Sequence, residues 1–337
     1  MFGFILRRVL AAIPVLLIVA FITFFVMKQA KGGPWDQEKP LPQAIVDRLN
    51  AKFGLNKPTW INPGAVSAAR AQGVSNPLTL ARAFLDSQFG NYVINAARGD
   101  FGVTYVSKGT DTVSSKISRT FPTSARLGFV ALVFAILVGI PLGVLGALRQ
   151  NTIFDYISLI LATIGISVPS FVIGSLALIL LSSVFGIDPL RAPEEWQSLS
   201  SAYILPGIVL GLGTMSFLSR LTRSSMLEIK RQDYVRTARA KGMGDRVVIT
   251  RHMLRNALIP VVTILGPALV DLVTGSFIIE TIYSIPGIGK EFVGSIQSRD
   301  YAMLMGTTLF LTFLIVLANL SVDIVYGFLD PRIRNKG

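Results

Sequence analysis

Four ionisable side chains, Arg126, Asp271, Glu280 and Asp323, lie in or beside long apolar runs of this 337-residue chain. A charge at the centre of a bilayer costs at least about 2.5 kcal/mol on insertion scales, so each needs a partner or an aqueous cavity. Asp271 is the candidate for a solute pathway; structural pairing or an interfacial position is the expectation for the other three. Other chemistry has little to draw on. The single histidine, His252, has no second metal-binding side chain beside it and no serine and acid with which to form a hydrolytic constellation, so packing or an interface is its expected role. Gly287-Ile-Gly-Lys290 lacks the G-x4-G-K-[ST] spacing of a phosphate loop. With no cysteine in the chain, disulfides, thiolate chemistry and cysteine-ligated metals are excluded.

The elements that must position these residues are set by apolarity. Hydrophobic residues make up 51% of the chain, charged residues 15%, and the mean hydropathy is +0.59. A helix needs about 20 apolar residues to cross a hydrocarbon layer of roughly 30 Å. Six segments are predicted to do so: Val9 to Met27, Leu127 to Leu148, Tyr156 to Phe185, Ile204 to Leu218, Leu258 to Ile282 and Leu304 to Phe328. The fourth is short and glycine-rich, and Asp271 and Glu280 blur the outer end of the fifth. The first exceeds the apolar core of a secretory signal and is read as an uncleaved anchor.

A formal charge of +13 raises the question of a nucleic-acid partner, and its distribution argues against one. Sixteen basic residues fall on one side of a six-crossing layout: Arg7 and Arg8, Arg149, ten between Arg220 and Arg255, and Arg332, Arg334 and Lys336. The two short loops opposite hold only Arg191, Lys290 and Arg299. This is the positive-inside pattern, and it predicts that both termini are cytoplasmic. The 12 basic residues between Lys28 and Phe121 lie in a segment long enough to translocate regardless of charge.

That long segment has turn signals at Gly32-Gly33-Pro34, Asn56-Lys57-Pro58 and Asn62-Pro63-Gly64, with helical patterns over Gln43 to Phe53 and Leu78 to Ala97. It is expected to form an extracytoplasmic cap, either a solvated lid or a docking surface for a delivery protein. In the membrane core, Gly139, Gly143 and Gly146 permit close helix approach, and Pro141, Pro169, Pro206 and Pro267 interrupt helices. Broken, small-residue helices suit a moving bundle and occur in static ones too.

The most informative stretch runs from Asp233 to Pro260: Asp233-Tyr-Val-Arg-Thr-Ala-Arg-Ala-Lys-Gly-Met-Gly-Asp-Arg-Val-Val-Ile-Thr-Arg-His-Met-Leu-Arg-Asn-Ala-Leu-Ile-Pro260. It resembles the cytoplasmic coupling loop of bacterial ABC importer permeases, E-A-A-x3-G-x9-I-x-L-P. Gly242 falls on the pattern's glycine, Ala238 on its second alanine and Leu254 on its leucine. Arg236 and Thr237 replace E-A, His252 replaces isoleucine and Arg255 the final proline. These departures resemble the first permease of oligopeptide and dipeptide importers. So do Phe4-Ile-Leu-Arg-Arg-Val-Leu, Arg98-Gly-Asp-Phe-Gly, Ser167-Val-Pro-Ser-Phe-Val, Ile279-Glu-Thr-Ile-Tyr-Ser-Ile-Pro-Gly-Ile-Gly, Arg299-Asp-Tyr and Asp330-Pro-Arg-Ile-Arg. Residues 59–88 depart from that branch and read as an insertion.

The resemblance implies an all-α type I ABC importer transmembrane subunit with six helices. Its parts are an N-terminal helix (1–28), a cap (29–121), a core (122–330) with a coupling loop at 226–257, and a cytoplasmic tail (331–337). It implies a second homologous permease, two cytoplasmic ATPases that carry ATP and Mg, an extracytoplasmic peptide-binding protein, and no cofactor on this chain. Contact with the ATPase would fall to Arg236, Thr237, Ala238, Arg239, Ala240, Lys241, Gly242, Met243, Leu254 and Arg255. Two short helices are expected there, separated by Gly242 and Gly244, since glycine tolerates the positive φ of a sharp helix exit. An importer of nickel or another solute, an ion-coupled secondary transporter and, more distantly, a membrane enzyme are the alternatives.

Overall fold

Each apolar run becomes helix, because in lipid every backbone polar group must be satisfied within its own segment. The computed structural model describes residues 2–329 except 31, 36–40, 108, 187 and 189; the expected tail, 331–337, lies outside them. Among the described residues, five helical segments are long and apolar enough to span a membrane: Leu6–Gln29, Val113–Leu148, Ser201–Lys230, Ile259–Ile282 and Tyr301–Ile324. The third predicted span is interrupted at Pro169, as the sequence indicates, and the interruption is sharp. The span is a pair, Ile153–Ser167 and Ser170–Ser183, bent by 100°. Pro169 favours the break: it disfavours the helical conformation at Val168, which is extended at φ −95° and ψ 123°.

The chain divides into two compact units. One comprises Val9–Arg119 and Glu291–Phe313. It holds most of α1 (Phe2–Gln29), the helices α2 (Gln43–Lys52), α3 (Pro63–Ala71), α4 (Pro77–Phe84) and α5 (Gln88–Ala96), and the start of α6 (Val113–Phe134). The pattern over Leu78 to Ala97 is thus not one helix. It breaks at Leu85 to Ser87, where the Ser87 hydroxyl accepts from the Gly90 N–H at 3.0 Å and starts α5. Asn62 and Asn76 cap α3 and α4 in the same way, each followed by proline in the first helical turn. Phe21, Phe24, Trp60 and Phe89 form an aromatic cluster with ring centroids 5.1 to 6.0 Å apart. Asp86 bridges Lys57 at 2.6 Å, and the hydrogen bonds from Lys57 and Asn91 hold its carboxyl below the usual carboxylate range.

The other unit comprises Met1–Arg8, Thr120–Lys290 and Leu314–Gly337. Here α6 continues through a π-helical turn, Ala135–Gly139, into α7 (Ile140–Leu148). There follow α8 (Ile153–Ser167), α9 (Ser170–Ser183) and α10 (Ile204–Lys230), on which α7 and α8 pack. The predicted fourth span stopped at Leu218, but α10 runs on to Lys230. Its continuation is polar yet sequestered: Ser219, Thr222 and Met226 are buried against protein, so hydropathy alone undervalues it. A Cβ on Gly143 would lie 2.4 Å from the Ser219 carbonyl oxygen, so glycine is what lets these two helices meet. The rest of the unit is α11 (Asp233–Ala240), α12 (Asp245–Val247), a π turn (Val248–Leu254), α13 (Arg255–Ala257), α14 (Ile259–Thr274) and α15 (Phe277–Ile282). In the chain, α16 (Ile288–Gln297) and α17 (Tyr301–Leu329) close the order.

Candidate functional site

The stretch from Asp233 folds as a helix, a tight turn and a second helical run. α11 begins with Asp233 and carries Arg239 in its last turn, each sign matched to the helix dipole. Its buried positions, Val235 and Ala238, face a core of Ala147, Met226, Val248, Met253 and Ala257. At its end the Gly242 N–H donates to the Arg239 carbonyl at 2.9 Å and the Met243 N–H to the Ala238 carbonyl at 3.3 Å. These are the two bonds of a Schellman cap, with Gly242 at φ +76°. Gly244 differs from expectation: at φ −60° and ψ 143° it is in ordinary extended backbone, so only one of the two glycines is conformationally required.

The predicted contact residues separate into two groups. Arg236, Thr237, Arg239, Ala240, Lys241, Gly242 and Arg255 are exposed, whereas Ala238 is buried and Met243 and Leu254 are half-buried against the same core. The exposed set forms a basic knob on a fixed base. Arg236 lies 3.7 Å from Asp233 and Arg239 3.8 Å from Asp245, exposed pairs worth little energetically. Asn256 ties the two arms by donating to the Tyr234 hydroxyl at 3.0 Å and the His252 carbonyl at 3.1 Å. His252 lies within the second π turn.

Sequence reasoning missed what anchors this base. Arg223 on α10 makes a fork-like pair with Asp155 on α8, Nε to Oδ1 at 2.7 Å and Nη2 to Oδ2 at 2.8 Å, and the Asn151 N–H donates to Oδ2 at 3.0 Å. Asp155 is 2% exposed. The two residues are 68 positions apart, so no local signal pairs them. Arg223→Ala is expected to destabilise the protein by about 3 to 5 kcal/mol, because it leaves a buried carboxylate without its cation. In a double-mutant cycle read by unfolding of the purified protein, Asp155→Ala should recover most of that loss. A cost below about 1 kcal/mol for either single variant would refute the anchoring role.

The four intramembrane charges are accounted for differently. Arg8 meets Asp323 at 3.1 Å, and Arg126 donates to the Trp196 carbonyl at 3.2 Å. Glu280, fully buried, accepts from the Ser276 hydroxyl, the Gly289 N–H at 2.8 Å and the Lys290 N–H at 3.1 Å. The glycine-lysine run thus wraps a carboxylate of its own chain. Asp271 is the exception: it is exposed, and its carboxylate has no hydrogen-bond donor or cation among the described residues. It lines a cavity of about 730 Å³ formed at the α8–α9 bend and by α10, α14 and α17.

Residues 139–335 match the family described as binding-protein-dependent transport system inner membrane component. The dipeptide transport system permease protein DppB of Bacillus subtilis is 37% identical over 331 residues, 98% of this chain and 97% of its own length. The oligopeptide transport system permease protein OppB of Salmonella typhimurium is 38% identical over 336 residues, 99% of this chain and all of its own. A chain from inward-facing conformations of the MetNI methionine ABC transporter superposes with a TM-score of 0.51 at 20% identity, covering 62% of this chain and 94% of that one. The fold is accordingly that of a type I ABC importer transmembrane domain. The chain belongs to the family of binding-protein-dependent transport system inner membrane components.

Proposed function

We propose that this chain is a permease subunit of an ATP-driven importer of short peptides. The observation that carries the reading is the match, at 37 to 38% identity and nearly full length, to permeases of dipeptide and oligopeptide transport systems. It pairs with a homologous permease, receives peptide from an extracytoplasmic binding protein at the cap, and works with two ATPases on which ATP and Mg reside. The knob from Arg236 to Met243 seats in a groove on one ATPase, with Leu254 and Arg255 on the returning arm. A rigid element is suited to this role: a switch moves only if its contacts differ between two states, and a helix pair fixed on a buried core transmits displacement without deforming. The basic face of this segment supports a cytoplasmic position, and with it cytoplasmic termini in a bacterial inner membrane.

In proteoliposomes, peptide uptake is expected only when the partner permease, both ATPases, the binding protein and ATP are present. ATP-independent uptake by this chain alone would replace the reading with a secondary transporter. Because the chain has no cysteine, Ala81→Cys and Arg246→Cys give clean labelling in the same preparation. An impermeant thiol reagent should reach the first from outside and the second only from the cytoplasmic side; labelling of both from one side would break the topology.

A further inference from the structure

We propose that Asp271 is a subsite for a primary ammonium group of the transported peptide. The inference rests on the peptide-importer reading and names what the cavity holds. Among the nineteen described residues that line the cavity, Asp271 is the only charged one. Most of the wall is aliphatic, glycine or proline, with Thr214, Ser170 and Asn319 as its polar side chains. Such a wall offers three neutral hydrogen-bonding side chains and no second charge. What peptides of differing sequence share is a free amino terminus, and a lone carboxylate complements it whatever the sequence.

Asp271 is exposed, whereas other ionisable groups of these helices are occupied. Arg8, Asp323, Asp155, Arg223 and Glu280 all have partners within the protein. The carboxylate of Asp271 has none among the described residues, although it sits in a membrane-spanning helix where an idle charge is selected against. On the cavity lining, Pro267, Ala268 and Gly275 stand about one turn away from it, and none of them carries a charge. A cationic end can therefore approach without displacing an ion pair.

The test compares three peptides in the assembled transporter: trialanine, N-acetyl-trialanine, and an N-acetylated tripeptide with a central lysine. The same binding protein serves wild type, Asp271→Asn and Asp271→Glu. At subsaturating concentration Asp271→Asn should lower trialanine uptake about tenfold, the scale of losing one charged hydrogen bond, while N-acetyl-trialanine uptake stays within about twofold of wild type. Asp271→Glu should keep the wild-type ratio. A loss that extends to the lysine peptide assigns the subsite to side-chain ammonium as well; a loss confined to trialanine assigns it to the amino terminus. If Asp271→Asn changes all three peptides by one common factor, or none of them, the subsite is refuted while peptide import stands. If wild type takes up none of the three, the peptide reading falls and this inference with it.

Discussion

Glu280→Ala prevents the fold from closing around Ile285 to Lys290 and costs on the order of 5 kcal/mol, an expected loss large enough to unfold a marginal membrane domain. The estimate comes from the donors left behind. Glu280 is 0% exposed and takes hydrogen bonds from Ser276, Gly289 and Lys290. Each buried donor orphaned costs about 1 to 3 kcal/mol. The tightness of the site is visible at two glycines. A Cβ on Gly287 would fall 2.3 Å from Glu280 Oε2, and one on Gly289 would fall 2.4 Å from the Phe277 Cα. Glu280→Gln keeps one oxygen acceptor but turns an N–H toward other donors, so it should lie between alanine and wild type. Thermal unfolding of detergent-purified protein checks the order. An alanine variant that melts within about 2 °C of wild type would mean that the wrapped carboxylate contributes little.

Gly242→Val is expected to abolish coupled transport while the protein still inserts and assembles. Valine at φ +76° is strained by about 1 to 3 kcal/mol, and relief requires opening the two bonds of the Schellman cap. No atom lies within 4 Å of a Cβ built there, so the defect is conformational and not a clash. Gly244→Val supplies the control, since Gly244 also has open space and an ordinary φ. The measurement is uptake and ATP hydrolysis side by side, with Ala240→Cys crosslinked to the ATPase as an index of seating. Normal uptake by Gly242→Val, together with no crosslink from Ala240 or Met243, would remove the segment from the coupling path.

Which of these features could be read in advance follows from how local their causes are. The capped turn at Gly242 was legible because its whole mechanism sits within six consecutive residues, Ala238 to Met243. The bend at Pro169 was signalled by its proline, but its size, 100°, was not, because a proline marks a break without fixing its angle. Hydropathy ended the fourth span at Leu218, for it treats Ser219, Thr222 and Arg223 as lipid-facing when they face protein. The unexplained carboxylate at Asp271 was visible as an anomaly of type and place. Pairing was expected for Glu280, and Asp155 drew no notice, but only tertiary structure supplies the partners of either.

The π turn at Ala135–Gly139 reconciles two incompatible periods. Ala131, Ala135, Gly139, Gly143 and Ala147 recur every four residues and are all buried. At 3.6 residues per turn, each such step overshoots a full rotation by about 40°, so four steps would carry Ala147 about 160° from Ala131. One residue accommodated in a wider turn takes back about 100°, leaving a spread of about 60° that a single packing stripe can hold. The small-residue seam stays in phase with α10 from Gly211, whose Cβ would lie 2.6 Å from the Ala131 carbonyl oxygen, down to Ser219 opposite Gly143. Deleting one residue within 135–139 would leave a more regular helix and a worse protein. It would turn Gly143 and Ala147 off the seam by about 100° and uncouple the membrane core from the end of the bundle that carries Arg223 and the basic knob.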